Sequence, residues 1–533
     1  MTRVEKILHK TFSFFEEKLD VLLIFSFSVS IFVRLIFSKY DFILRKDAFT
    51  YLLKSIEITN GNFTPVYSHE IGLSLFTAPL LLLFRSLSIY EKMIIAKTTS
   101  CLIGASIIFP LYLITKELKI AKRAQILTII LFTFYTSLVS MSEGFLTEPL
   151  FTLVFLFSIY FVIKSLQDKK YIIFSFIFAA LSWWIRPTGA FVFVILFIST
   201  IILHRNKLKR VVKSLLFGVL AFCAVAAPFI ILRYSTFGSF SYGENDKFLV
   251  DAYEMVWSNN IPITSAVGYL QSHGIYDIFV KFVLKGLFKV IFDFFYGSNF
   301  YTTGFIVSPL IAIFYFFGLL NYFAKRKYAP LIISFFIYIG GLSIIYSIFG
   351  TQRHLLPMVP FVLVFSALGL YELSRKIKYT YRFLSLFVIV FILFSLVSPL
   401  MNKMNEAEPH MPQWAAWAAN NIQGKIGIID GGELIMMHLS DTSVSGVNQI
   451  DLYASKSNLS VTRPGYFTDL AAAMPYFQEI GLTHLALDKG NIDRRPYLKE
   501  VYLPQYSSLF TEIYSDFDSG ERWEMKIYKI NYD

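Results

Sequence analysis

Along the first 400 residues, long apolar runs alternate with short polar stretches that are mostly basic. The runs fall near 21–38, 93–114, 124–141, 147–165, 170–185, 188–204, 212–232, 304–323, 329–349, 354–372 and 382–399. Each is long enough to cross a hydrocarbon core of about 30 Å as a helix. One further run, IGLSLFTAPLLLLF (71–84), is apolar but its role is ambiguous from pattern alone. Past residue 400 the period changes. PHMPQWAAWAANNIQG (409–424) reads as a helix, and KIGIIDGGEL (425–434) as a buried strand ending in a glycine turn. YFQEIGLTHLALDKG (476–490) reads as helix, turn and strand, and 509–530 as a closing hairpin. The pattern predicts an α-helical polytopic membrane protein of about 11 spans, residues 1–400, followed by a small α/β domain of one sheet, residues 401–533.

Loop charge gives the topology. The basic clusters are Arg3/Lys6/Lys10, KELKIAKR (116–123), KSLQDKK (164–170), HRNKLKR (204–210), KRK (325–327) and SRKIKYTYR (374–382). With eleven spans and 71–84 not crossing, all six fall on one side, the cytoplasmic one. If 71–84 crossed, the N-terminus would be separated from the other five. The run is therefore expected as a re-entrant or juxtamembrane helix at the outer interface. Large external loops at 39–92 and 233–303, and an external C-terminal domain, follow. The first run is too long for a signal-peptide core and lacks a small-residue cleavage site, so it reads as a retained anchor.

Composition agrees with the class. Of 533 residues 55% are hydrophobic and only 16% charged, with a mean hydropathy of +0.57; soluble chains carry about a quarter charged. The net charge is +12, yet residues 401–533 hold 17 Asp and Glu against 11 Lys and Arg. The basic excess belongs to the membrane part and reads as positive-inside loops, not as a nucleic-acid surface. Cys101 and Cys223 both lie inside apolar runs and read as small core residues. In the external loop 233–303, Lys281, Lys285 and Lys289 form one polar stripe on an apolar helix, as in an interfacial amphipathic helix.

Four polar clusters fall on the expected outer face. In RKDAFTYLLK (45–54), Lys46, Asp47 and Tyr51 follow the first span, and Asp47 and Tyr51 share a face if the segment is helical. His69 and Glu70 close the same loop; the plainer reading is a solvated interfacial helix. In SEGFLTEPLF (142–151), Thr147 can cap the next helix and Glu148 suits its first turn, which is a full structural explanation by itself. In WWIRPTGAF (183–191), Arg186 lies in a short outer turn, on the wrong side for the charge bias, and asks for an anionic partner. In FGTQRHLLPMVP (349–360), Arg353 and His354 do the same; binding to lipid phosphate alone is the plainer alternative. No metalloprotease, P-loop or nucleophile-elbow motif and no metal-ligand cluster occurs. The Asp-x-Asp at Asp516 and Asp518 reads as a turn.

Taken in order, these clusters resemble the glycosyltransferase C superfamily, closest to its protein O-mannosyltransferase and aminoarabinose-transferase-like branch. Asp47 and Tyr51 match a DExxY-like motif, Glu148 an S/T-E-P segment, Arg186 an L-T-R-P-x-G hairpin, and RHLLPMVP (353–360) an R-Y-x-L-P-x-x-P segment. The likeness covers nearly the whole chain. Ala48 stands where the family often has Glu, and SHEIG lacks the usual prolines, which leaves acceptor geometry and a divalent metal open. No W-W-D-Y-G is present, against en bloc oligosaccharide transfer.

The resemblance implies a plasma-membrane enzyme that moves a sugar from a polyprenyl-phosphate donor to a hydroxyl on a lipid, glycan or protein acceptor at the non-cytoplasmic face. It implies Asp47 as general base with inversion, Lys46, Arg186 and Arg353 on the donor phosphate, and Tyr51, His69, Glu70, Glu148 and His354 orienting sugar or acceptor. Two other readings stand beside it. A lipid-linked polysaccharide polymerase or ligase would need no carboxylate base. A lipid or sugar transporter would place polar residues near midplane rather than at outer span ends.

Overall fold

A computed structural model describes residues 3–40, 46–65, 70–237, 276, 279–295, 298–299, 304–346, 352–377, 380–397 and 400–401. In the C-terminal part it describes 413–428, 435, 442–445, 451–454, 458–462, 464, 467–488, 492, 496–517 and 524–532. The chain divides into two compact units, Met1–Tyr40 with Lys97–Glu406, and Asp41–Ala96 with Ala407–Asp533. The segment 41–96 is thus grouped with the tail, a feature that the division at 400/401 does not contain.

The first unit is helical. Its helices are α1 (Arg3–Glu17), α2 (Leu19–Tyr40), part of α5 (Ile89–Ser106), α6 (Ile108–Glu117), α7 (Lys122–Phe134), α8 (Thr136–Glu143), α9 (Thr147–Lys164), α10 (Tyr171–Ile185), α11 (Gly189–His204) and α12 (Leu208–Phe237). After them come α13 (Lys285–Phe295), α14 (Pro309–Tyr322), α15 (Ala329–Tyr346), α16 (Val359–Ser374) and α17 (Thr380–Ile392). Every one of the eleven expected spans contains a helix. Among the described residues six helices are long and apolar enough to cross a membrane, or seven with the pair α7–α8, which bends by 46° at Tyr135. The protein is a multi-pass α-helical membrane protein.

Close packing in this unit depends on glycine at few places. A Cβ on Gly318 in α14 would lie 1.9 Å from the Phe365 carbonyl oxygen of α16, and one on Gly369 in α16 would lie 2.1 Å from the Phe314 carbonyl oxygen of α14. The two helices touch backbone to backbone, each glycine making room for the other. Gly189 does the same for the α10–α11 turn: its Cβ would meet Ser182 and Trp183 backbone atoms at 2.4 Å.

Two expectations are corrected here. Thr147 is the first helical residue of α9 rather than its cap; Leu146 precedes the helix in extended conformation and makes no side-chain cap bond. Cys101 is buried but Cys223 is exposed, on the outward face of α12. On α13, Lys285 and Lys289 are exposed beside exposed Phe288 and Phe292, while Val290, Phe294 and Phe295 are buried, so the helix is amphipathic. The Lys281 side chain and most of 233–303 lie outside the described residues.

The second unit holds α3 (Lys46–Thr59), α4 (Gly72–Leu83), α18 (Gln413–Asn421), α19 (Leu470–Glu479) and a seven-stranded mixed sheet. A short pair in the first unit takes the names β1 (Ser298–Asn299) and β2 (Gly304–Phe305). The sheet's strands are β3 (Gly424–Ile428), β4 (Thr442–Ser445), β5 (Asp451–Ala454), β6 (Leu459–Thr462), β7 (Leu482–Asp488), β8 (Phe510–Ser515) and β9 (Met525–Ile530). Their order is β4-β5-β6-β3-β7-β9-β8, with β6, β3 and β7 parallel and the remaining pairs antiparallel. Asp469 caps α19, its Oδ1 accepting from the Ala472 N–H at 2.8 Å. Leu470, Ala473 and Phe477 of that helix pack on Leu482, Leu485 and Leu487 of β7. Between helix and strand, Gly481 turns the chain at φ +67°, a left-handed conformation that suits glycine. Asp516 ends β8 and accepts from the Met525 N–H, so it closes the hairpin, as expected of a turn residue; Asp518 lies outside the described residues.

The run 71–84 forms α4, only 12 residues and so about 18 Å long, too short for the hydrocarbon core. It packs on α3, where Ser74 Oγ donates to the Tyr51 carbonyl at 3.0 Å, and leaves Phe76, Leu82 and Leu83 exposed.

Candidate active site

Three elements of the first unit bring four of the expected residues together. The first is the start of α9. After α8 the chain turns at Gly144 and Phe145, the latter left-handed at φ 49°, and re-enters helix at Thr147. Glu148, second in α9, is thereby buried with its carboxylate near the positive end of the helix. The second is the α10–α11 turn. Arg186 follows the last residue of α10 in extended conformation, its N–H still bonded to the Ser182 carbonyl at 3.0 Å, and Pro187 with the close-packed Gly189 starts α11 at once. The third is the tight turn Gln352–Met358 ahead of α16, which carries Arg353 and His354.

The carboxylate is the hub. Arg186 Nη1 lies 2.6 Å from Glu148 Oε1, and Arg353 Nε lies 3.6 Å from the same oxygen. Arg186 Nη1 also donates to Thr147 Oγ1 at 3.2 Å, and its Nη2 donates to His354 Nδ1. A guanidinium has only donors, so in this contact His354 Nδ1 accepts. Two guanidiniums converge on one carboxylate oxygen. Arg186 is only 5% exposed, whereas the Arg353 side chain is 21% exposed. Arg186 is the more deeply buried of the two cations. Glu148 Oε2 and Arg186 Nε are buried and have no hydrogen-bond partner among the described residues, so the cluster retains unused polar capacity.

An aromatic wall backs the cluster. The Arg186 guanidinium lies over the Phe151 ring at 6.0 Å. Tyr338, fully buried in α15, packs against Phe151, Phe155 and Phe191 and donates to Thr188 Oγ1 at 3.5 Å. Such a low-dielectric backing strengthens charge interactions in front of it.

The other expected residues fall in the second unit. Asp47 occupies the first turn of α3, half-buried, with Tyr51 buried one turn on, so the segment is helical and the spacing of four is realised. Glu70 is buried just ahead of α4. His69 and the Lys46 side chain lie outside the described residues. Among the described residues no group of three His, Cys, Asp or Glu is placed to hold a metal.

Sequence reasoning passed over Thr147 as an Arg186 ligand, Tyr338 as the wall, and Arg34. Arg34 had a signal: it is the only charge inside the run VLLIFSFSVSIFVRLIFS (21–38), and an intramembrane cation is a functional candidate by default.

No family model and no curated protein matches this chain. Solved structures do. The structure is similar to the archaeal oligosaccharyltransferase AglB from Archaeoglobus fulgidus in complex with an inhibitory peptide and a dolichol-phosphate. The TM-score is 0.55 and the identity 12%, over 95% of this chain and 74% of that one. It is similar also to ArnT from Cupriavidus metallidurans bound to undecaprenyl phosphate, at TM-score 0.56 and 11% identity, over 96% of this chain and 98% of that one. The chain shares its fold with these two structures.

Proposed function

We propose that this protein is a membrane glycosyltransferase that moves a sugar from a polyprenyl-phosphate donor to an acceptor hydroxyl at the non-cytoplasmic face. The observation that carries the reading is the convergence of Arg186 and Arg353 on buried Glu148, with the Arg353 side chain 21% exposed. Two proteins of the same fold were solved with a dolichol-phosphate and an undecaprenyl phosphate. A phosphate monoester pairs well with guanidinium groups, as Arg–phosphate contacts generally do.

In the proposed reaction Asp47 takes the proton of the acceptor hydroxyl as that oxygen attacks the anomeric carbon. The bond from that carbon to the donor phosphate oxygen breaks, its electron pair stays on the phosphate, and the sugar is inverted. A positioned carboxylate base contributes on the order of 10²–10⁴-fold. Lys46, Arg186 and Arg353 stabilise the charge that develops on the leaving phosphate. His354 donates from Nε2 to a sugar or phosphate oxygen. Tyr51, His69 and Glu70 orient the acceptor. The phosphate bond of the donor supplies the driving force.

The test is transfer in membranes. Labelled polyprenyl-phosphate hexose and pentose donors are given to wild type and Asp47→Asn at matched expression, with a crude pool of lipid, glycan and protein acceptors. Transfer by wild type alone supports the enzyme and its base, and the labelled fraction identifies the acceptor class. Equal transfer by both removes Asp47 and favours a polymerase or ligase that needs no carboxylate base. Absence of transfer from every donor overturns the reading.

A further inference from the structure

Arg34 is fully buried inside α2, within a span that lies outside the proposed donor site. Placing an arginine at such a position costs at least about 2.5 kcal/mol relative to an apolar residue. Its partners among the described residues are neutral. Nε donates to Ser142 Oγ at 3.2 Å, Nη1 donates to the Ser30 carbonyl at 3.2 Å and to Ser30 Oγ, and the guanidinium lies 5.2 Å over the Phe132 ring. Two of these anchors are on α2 or α7; the remaining one, Ser142, is the last residue but one of α8.

Ser142 is gripped from other sides as well. Its Oγ donates to the Leu138 carbonyl at 3.0 Å, and the Cys101 thiol reaches its carbonyl at 3.7 Å. A Cβ on Gly104 of α5 would lie 1.9 Å from Ser142 Oγ and 3.2 Å from Arg34 Nε. Glycine at 104 is what lets α5, α8 and the guanidinium meet. Every residue from Ser137 to Thr152 is buried, so the chain between Ser142 and Glu148 is packed on all sides. Interiors packed in this way pass on a displacement instead of absorbing it.

The geometry points to Arg34 as a positioning residue: by holding Ser142 it fixes the α8–α9 elbow, and so sets where Glu148 holds Arg186 and Arg353. This rests on the donor-phosphate reading of the Glu148 cluster. Lysine at 34 keeps the charge but loses the planar fork that bonds Ser30 and Ser142 together.

The test is binding of undecaprenyl phosphate by the full chain in detergent, compared among wild type, Arg34→Lys, Ser142→Ala, Glu148→Gln and the double variants with Glu148→Gln. Arg34→Lys is expected to bind about 10-fold more weakly, Ser142→Ala less so, and neither is expected to weaken binding further once Glu148 is Gln. A purely structural arginine would lower thermal stability and folded yield while leaving the Kd of the folded fraction unchanged. Unchanged binding by Arg34→Lys and Ser142→Ala, or effects that multiply with Glu148→Gln, overturn the inference while the donor reading stands. Should Arg34→Lys fail to fold, Ser142→Ala, which leaves the charge in place, decides alone. Wild type that does not bind the lipid, or Glu148→Gln that binds it equally well, overturns the donor reading and the inference with it.

Discussion

Glu148 Oε1 accepts from Arg186 at 2.6 Å while Arg353 stands 3.6 Å from the same atom, so one carboxylate sets the position of both cations. Glu148→Gln keeps the shape and removes the charge. Breaking a buried ion pair from one side costs about 3–5 kcal/mol. We expect lower thermal stability in detergent and a fall in sugar transfer of about 10²-fold or more, the size seen on loss of one transition-state contact. Transfer at the wild-type rate would remove the cluster from the mechanism.

Arg186→Lys is expected to be nearly as damaging, although the charge is retained. An ammonium has no fork to serve Thr147, Glu148 and His354 together. Donor-concentration dependence of transfer checks this: KM should rise by about 10-fold or more. Recovery of wild-type kinetics by lysine would show that only the charge matters.

The paired glycines make a prediction of stability. Gly318→Ala places a methyl 1.9 Å from a carbonyl oxygen, and backbone does not step aside as a side chain does. Overpacking of this kind costs about 1–3 kcal/mol. The α14–α16 crossing should open, and because Arg353 and His354 lead into α16, transfer should fall along with the melting temperature. An alanine variant with unchanged melting temperature would contradict the crossing.

His484 predicts an acid limit for the second unit. Burial in the sheet, and then Lys529 opposite it on β9, hold its imidazole below the ordinary value of 6.5. The unfolded chain therefore takes up the proton first as pH falls. Stability is complete above about pH 6.5 and declines as pH drops through that value toward the lower folded-state one. Protection of the β7 and β9 amides in the full chain, corrected for the intrinsic pH dependence of exchange, should fall between pH 7.5 and 5.5. His484→Gln should flatten that dependence.

Topology is checked by labelling. With a membrane-impermeant maleimide on intact cells, Ser507→Cys should react, and Gln167→Cys should react only after lysis. Reaction of both without lysis would overturn the assignment of sides.

Much of this molecule is written in hydrophobic length and period. The spans, the short α4, the α19–β7 unit and the β8–β9 hairpin each have a local cause, namely run length, alternation or a turn residue, and each was readable. Arg186 and Arg353 stood out in the sequence because they lie away from the six basic clusters expected on the cytoplasmic side. What a linear reading missed depends on tertiary neighbours. Thr147 looks like a cap until the turn at Phe145 leaves that position to Leu146 and frees the hydroxyl for Arg186. Cys223 looks interior because α12 is apolar on every side, and an apolar helix in lipid carries no mark of which face meets protein. The grouping of 41–96 with the tail is a contact between segments more than 300 residues apart, which no local pattern encodes.

Arg34 also has a place in time. Synthesis runs from the N-terminus, and Ser142 follows 108 residues later. At about 5–20 residues per second that is an interval of roughly 5–20 s. Throughout it the hydrophobic segment of α2 has to remain inserted while carrying a cation whose penalty its leucines, isoleucines and phenylalanines offset a fraction of a kcal/mol at a time. A span already in the bilayer thus waits for a later helix to complete its bonding.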